Sequence, residues 1–462
     1  MKFKIIIFFI ALLSLPILAK NQNTVIIGKI TCLGNNTTKK SIILRELLFK
    51  EGDTIKFSDW KIIKEQSTNN LINTLLFHTA LIDFANDSVS AKEIKIKVIE
   101  SWYFWPAPIL DIDERNFNVW WQSKSLSRAS AGINITKQNF RGRMEKLKIN
   151  VMAGYNQKIG FSYDAPYLNK KKTFGYGAEA IWTLKHEVNY AIENDIQVYL
   201  KQTIPVQKDL LTAIHFRYRP DYYVSYLLQF RFQKYYFSDS LIAKNPNYGD
   251  GNSKEFSFLS AYYKLKIDHR DFRPYPLEGY YSDFEIWKYG FGMMENSNLN
   301  IWYAKSNYRK YWSISNRWYA AVGFVGKVSN STNQPYLLED GLGYGRDFVR
   351  GYEYYVINGR HYAVMKANIK WSLLPQKSVK INFITSDKFN TIPYSFYINL
   401  FFDAGYVSKK EIIISNKLPN SALYSTGIGI DFITYYDKVA RFEFTINGKG
   451  ESGLFLHFIA PI

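Results

Sequence analysis

A single cysteine, Cys32, in 462 residues excludes a disulfide framework. It lies inside a strand-like run, VIIGKITCLG, too far along the chain for a lipid-anchored N-terminus, and reads as an inert small core residue. Past residue 19 no run of eighteen apolar residues occurs, which excludes transmembrane helices. The six histidines (His78, His186, His215, His269, His361 and His457) show no HExxH or other paired metal spacing, and no GxSxG element offers an acyl-transfer nucleophile. Asp268 and Asp271 flank a basic, proline-bearing turn and suit that turn better than an acid/base dyad. Acidic residues number 40 against 59 basic, a net charge of +19. The surplus is spread over loop positions such as Lys170 to Lys172 and Lys409-Lys410 rather than gathered into a nucleic-acid motif. The reading is therefore no enzyme, no cofactor, no metal and no nucleic acid.

What the chain has in quantity is aromatic: 36 Tyr, 33 Phe and 11 Trp, 17% of residues. The start, MKFKIIIFFIALLSLPILAK, combines basic Lys2 and Lys4, an apolar stretch over 5–18 and small Ala19, the pattern of a secretory signal peptide over residues 1–19. The alternative is an N-terminal membrane anchor, for which the run is short. A secreted chain without disulfides or apolar helices, but rich in aromatic residues, fits the outer membrane of a Gram-negative cell. Strands there alternate lipid-facing and lumen-facing residues between aromatic girdles. A basic surface beside lipopolysaccharide can bind phosphates, and solvated loop charge is the plainer account of the same lysines.

Residues 20–102 differ from the remainder. VIIGKITCLG predicts a strand, Thr38 can cap a helix through KKSIILRELLF, and Ser58 opens a second helix with Ile62, Ile63, Leu71 and Leu75 as its apolar stripe. HTALIDFA and the alternating EIKIKVIE are strands, giving β-α-α-β-β, the size of one small domain. Residues 103–126 read as a linker, its Trp102-to-Trp105 aromatics suited to a membrane interface or to packing on a barrel rim. From 127 to 462, turn signals separate about sixteen alternating segments, 189–203 among them, and an even number is what a single-chain bacterial barrel requires. An open β-sandwich would need polar outer faces, whereas these strands carry Tyr, Phe and Trp on one side.

Within that region GLGYGRDFVRGYEYY, 341–355, holds four glycines and two arginines, and an extended run follows instead of the helix a phosphate loop would open. It reads as a long loop between strands, within 327–360, presenting Arg350 on a flexible hairpin. FFDAGYV, 401–407, is a strand with one acidic residue, Asp403, beside Ala404 and Gly405. Arginine's planar fork suits bidentate pairing with a carboxylate, so Arg350 and Asp403 are expected to meet inside the barrel. The alternative is that each is solvated on the lumen wall.

The module over 20–102 resembles a POTRA domain through Gly34-Asn35, Thr38, Arg45-Glu46-Leu47, Gly52-Asp53 and the stretch from Asn70-Leu71 to Leu76-Phe77. Further on stand Asn139, Gly142, Leu147 and Gly154, then Asp164-Ala165-Pro166-Tyr167, then Asp268, Arg270-Asp271, Pro276 and Gly279-Tyr280. With VRGY (Val349, Arg350, Gly351, Tyr352) and the F-x-D-x-G strand (Phe401, Asp403, Gly405), these are similar to the barrel motifs of the BamA/TamA outer-membrane superfamily, the bacterial surface antigen family. The resemblance implies a mainly β chain: a barrel of about sixteen strands behind one periplasmic POTRA-like domain, with the VRGY arginine folded into the lumen onto the F-x-D-x-G acid. It implies membrane insertion or export of unfolded client proteins, in contact with lipids and lipopolysaccharide and with periplasmic chaperone or lipoprotein subunits. A POTRA-like module offers a sheet edge to clients or serves only as a spacer. Family members end in a strand with an aromatic targeting signal; Phe458 is the candidate, although Ala460-Pro461-Ile462 follow it. The alternatives within this picture are a dedicated two-partner-type exporter and a structural or channel subunit.

Overall fold

The structure is a computed structural model that describes residues 24–85, 91–112, 120–121, 124, 129–293, 299–330, 334–382, 390–410, 415–434 and 438–458. The expected signal peptide, residues 1–19, lies outside the described residues. The first unit runs β1 (Thr24–Leu33), α1 (Lys40–Arg45), β2 (Thr54–Lys56), α2 (Phe57–Asn73), β3 (Phe77–Phe84) and β4 (Lys92–Glu100). Its sheet has the order β2-β1-β4-β3, with β1 parallel to β4, so β3 is an edge strand. The short β2 is an addition to the β-α-α-β-β expectation. Alternation drives β4, whose Ile94, Ile96 and Val98 are buried against Ile43 and Leu71 of the two helices while its lysines face solvent.

Thr38 does not cap α1, which begins without a side-chain cap bond. The buried carboxylate of Glu100 takes it instead: Thr38 Oγ1 and the Thr38 backbone N–H each donate to Glu100 Oε1 at 2.6 Å. Bonds to an ionised acceptor outweigh a neutral cap. Only part of the expected stripe is inward: on α2 Leu71 is buried and Ile62 largely exposed, and Leu75 falls beyond the helix end and is exposed.

The second unit is a 16-stranded sheet curled into a barrel. Its strands are β5 (Phe104–Ile112), β6 (Ala129–Phe140), β7 (Glu145–Gly154), β8 (Asn156–Ala165), β9 (Phe174–Lys185), β12 (Gln207–Tyr218), β13 (Val224–Phe237), β14 (Glu255–Asp268), β15 (Gly279–Tyr289), β16 (Ile301–Ser315), β17 (Trp318–Ser329), β18 (His361–Lys380), β19 (Thr391–Ser408), β20 (Ala422–Thr434), β21 (Lys438–Asn447) and β22 (Ser452–His457). All its neighbours pair antiparallel, with β5 and β22 at the two margins. The count is the expected one, but its membership differs. Residues 104–112, expected as linker, form the first strand. Residues 189–203, expected as a wall strand, fold instead into a separate hairpin, β10 (Glu187–Glu193) with β11 (Ile196–Lys201). Asn194 and Asp195, both at positive φ, make the two-residue turn that doubles this segment back, and β12 pairs directly with β9.

Prolines made 104–112 look unlike a strand, and register explains why they are tolerated. Gln138 N–H donates to the Tyr103 carbonyl at 2.7 Å, and the pairing from Phe104↔Lys137 to Ile112↔Ala129 is unbroken. Odd-numbered residues of β5 therefore turn their backbone polar groups toward β6, and even-numbered ones turn them away. Pro106 and Pro108 are even-numbered, so their missing N–H groups fall on the margin side.

The barrel is apolar outside and polar inside. On β21, Arg441, Glu443, Thr445 and Asn447 are buried, while Phe442, Phe444 and Ile446 are exposed by 56%, 42% and 46%. A water-soluble fold would carry the opposite pattern, and this one matches a wall facing hydrocarbon.

The small domain is bound to the turns at one end of the barrel. Glu46, 1% exposed at the end of α1, accepts a two-pronged bond from Arg219 in the β12–β13 turn at 2.7 and 2.8 Å. Tyr167, after β8, donates to Glu46 at 2.9 Å, and burial beside that carboxylate pushes its hydroxyl up to about 12. Asn139 at the end of β6 donates to Thr38 at 2.8 Å. Replacing outward Phe444 with arginine should destabilise the folded barrel in lipid bilayers by about 2–4 kcal/mol. Equilibrium unfolding from vesicles would measure this.

Candidate functional site

The chain between β17 and β18 returns into the barrel from the end opposite the small domain. Leu342 and Ile357 exchange two backbone bonds of 2.9 Å and close its neck. At its tip, Tyr352 N–H donates to the Val349 carbonyl at 3.1 Å around Arg350 and Gly351. Gly351 has φ +83°, so this is a turn with the left-handed residue third, where glycine is favoured. Asp347 steadies the descending limb by accepting from Tyr362 at 2.8 Å and pairing with Lys305. The β10–β11 hairpin lies against the ascending limb: Val356 N–H donates to the Asp195 carbonyl at 2.8 Å.

Arg350 is 0% exposed. Its Nε donates to Asp403 Oδ2 at 2.8 Å, its Nη2 to Asp403 Oδ1 at 2.5 Å, and its backbone N–H to Oδ2 at 3.1 Å. Nη1 reaches Glu443 Oε1 at 3.1 Å and Nη2 reaches Asn368 Oδ1 at 2.8 Å. The guanidinium carbon stands 3.8 Å from the centroid of the Phe401 ring. Asp403, Phe401 and Gly405 share the inner face of β19. A Cβ on Gly405 would come 2.6 Å from Val349 Cγ2, so the hairpin seats at this depth because position 405 has no side chain. Asn447 Nδ2 donates to the Gly351 carbonyl at 2.8 Å, and Tyr352 Oη accepts from Gly448 N–H at 3.2 Å. Each residue of the VRGY and F-x-D-x-G motifs thus touches the other motif or the adjoining wall. Phe458 follows β22 and is largely exposed.

Sequence reasoning gave Arg350 one carboxylate, and the structure gives it two. It also missed a second buried pair, Arg441 with Asp431, joined through Nε–Oδ1 at 2.5 Å and Nη2–Oδ2 at 2.7 Å. Arg441 Nη1 stands 3.6 Å from Glu443 Oε1, so the charges run Asp403, Arg350, Glu443, Arg441, Asp431 in unbroken alternation. Lys366 adds a cation 3.9 Å from Asp403. The available signal was Arg441 and Glu443 two apart on the polar face of RFEFT, which puts both into the lumen. No cluster of metal-ligating side chains is found among the described residues. The arrangement holds a loop inside the lumen.

Arg350→Ala leaves Asp403 and Glu443 buried without their shared cation, which should cost about 3–5 kcal/mol. Arg346→Ala, exposed on the same hairpin, should stay within roughly 0.5 kcal/mol of the parent. The heat-modifiable gel shift of the folded barrel would separate them, and equal effects would deny Arg350 a special part. Gly405→Leu should displace the hairpin as well, with partial rescue by Val349→Ala; protease sensitivity of 341–355 reads both.

Residues 139–451 match the family described as Omp85 superfamily domain. No curated protein matches the chain. Among solved structures it is similar to BamA from Haemophilus ducreyi lacking POTRA domains 1–3, at 14% identity and TM-score 0.50 over 94% of this chain and 83% of that one. It is also similar to CdiB from Escherichia coli, at 10% identity and TM-score 0.53 over 94% and 75%. The fold is shared at these identities. With the family match spanning most of its length, this chain belongs to the Omp85 superfamily.

Proposed function

We propose that this protein sits in the outer membrane of a Gram-negative cell and inserts or exports client polypeptides there, with the small domain in the periplasm and the arginine hairpin entering from outside. The observation that carries the reading is Arg350 buried on Asp403 and Glu443 within a barrel of this superfamily. A plain diffusion pore gains nothing from filling its lumen with a hairpin held by desolvated charge. A machine that must stay sealed until engaged does.

At the periplasmic end, β3 is the edge of the small domain's sheet and borders a cavity of about 880 Å³. Trp102, Trp105 and Phe77 line it together with Lys146, Lys148 and Lys438. An extended client segment adds to such an edge through main-chain bonds, which require no particular sequence. The work needs no nucleotide or cofactor, because strand pairing and burial in lipid supply the driving force. Lipids and lipopolysaccharide surround the wall, and periplasmic chaperone or lipoprotein subunits deliver clients to the small domain. Phe458 serves as the C-terminal signal by which the barrel itself is targeted.

Depleting the protein and quantifying the outer-membrane and secreted proteomes tests this. Loss of many barrels is the expected result for an insertase. Loss of one secreted protein identifies an exporter, and an unchanged proteome reduces the chain to a structural subunit.

A further inference from the structure

The lumen receives a second intruder, from the end that carries the small domain. Residues 269–278, the turn between β14 and β15, fold inward across the barrel instead of around its rim. Tyr275, 3% exposed, donates from its hydroxyl to Asp431 Oδ2 on β20 at 2.6 Å. Its ring lies 5.0 Å from that of Tyr397 on β19, and Lys370 of β18 places its ammonium 4.2 Å from the ring centroid. All three partners stand several strands away from β14 and β15 in the sheet order. Tyr275, Tyr397 and Val439 form a small buried cluster, with Phe272, Leu277, Tyr319 and Ile433 packed against it. The segment is braced from within: Asp271 accepts from Leu277 N–H at 3.1 Å, and Arg270 holds Asp268 through bonds of 2.7 and 2.9 Å.

The strap is tied on both sides, to the lumenal charge series and to the small domain. Asp431 belongs to the alternating charge series that reaches Arg350 through Arg441 and Glu443. On the other side, Asn73, the last residue of α2, donates to the Asp271 carbonyl at 3.3 Å and accepts from Arg273 N–H at 3.3 Å, while Arg273 Nη1 donates to the Asn73 carbonyl at 3.2 Å. The strap also borders the cavity beside β3, through Phe272, Tyr275 and Leu277.

We infer that residues 269–278 are a second closure of the lumen, latched by Tyr275 on Asp431, and linked to the arginine hairpin on one side and to the small domain on the other. The barrel is then shut by two devices in series, so that opening the hairpin alone does not open the pore. A pull on α2 reaches the latch through Asn73. The inference goes beyond insertion or export as such, since it concerns what seals the lumen whatever passes.

Purified full-length protein in planar lipid bilayers provides the test, by single-channel recording of four forms: the parent, a form with 343–355 replaced by a short glycine-serine linker, Tyr275→Ala, and the two changes combined. The expected result is that the hairpin-less form conducts only a fraction of the combined form, with Tyr275→Ala alone giving brief openings. A hairpin-less form that conducts as fully as the combined form overturns the inference. Heat-modifiable mobility checks that each variant is folded. If Tyr275→Ala fails to fold, Tyr275→Phe removes only the hydroxyl contact to Asp431. In the hairpin-less background it should raise open probability several-fold, and an unchanged open probability would equally overturn the latch.

Discussion

A guanidinium withdrawn entirely from water is the constraint around which this barrel is arranged. Arg350 keeps its charge at any biological pH, so its burial cost has to be met by partners. Two carboxylates, a side-chain amide and an aromatic face supply them from three strands of the wall. These partners fix how deep the hairpin sits, which is why position 405 has no side chain and position 351 is left-handed. The same pairing that holds the hairpin makes its release cooperative, because partial withdrawal would strand charge in a low-dielectric interior.

The two halves of the molecule are joined on the same principle. Glu46 of the small domain is as deeply buried as the lumenal acids and meets Arg219 through two bonds, with Tyr167 completing its shell. Charge pairing in dry surroundings is directional where apolar packing is not, so it sets orientation as well as attachment. Around these fixed points the outer wall needs only to be greasy, and the alternation on β21 shows how little else is asked of it.

Most of the architecture was legible because it rests on period-two patterning and turn signals, which are local. Sixteen strands could be counted from alternation, and the glycines of 341–355 pointed to Arg350. What stayed hidden was long-range or conditional. Residues 104–112 look like a linker until one knows that the prolines lie on a margin, and 189–203 look like a wall strand until the Asn194-Asp195 turn is recognised as a reversal. Thr38 has the composition of a cap, but a buried Glu100 sixty-two residues later claims it. Glu443, Asn368 and the Arg441–Asp431 pair join the site only through strand register, and register between distant strands is not written in any one of them.

The prolines of β5 carry a mechanical corollary. At 106 and 108 that strand can receive a hydrogen bond from the margin side but cannot give one, so any strand laid along it leaves two of its own carbonyls unanswered in hydrocarbon. The lines on either side of β20, by contrast, pair without a register shift along their whole length. Two imino acids thus make one margin of the sheet a place where main-chain pairing stays incomplete whatever is laid against it.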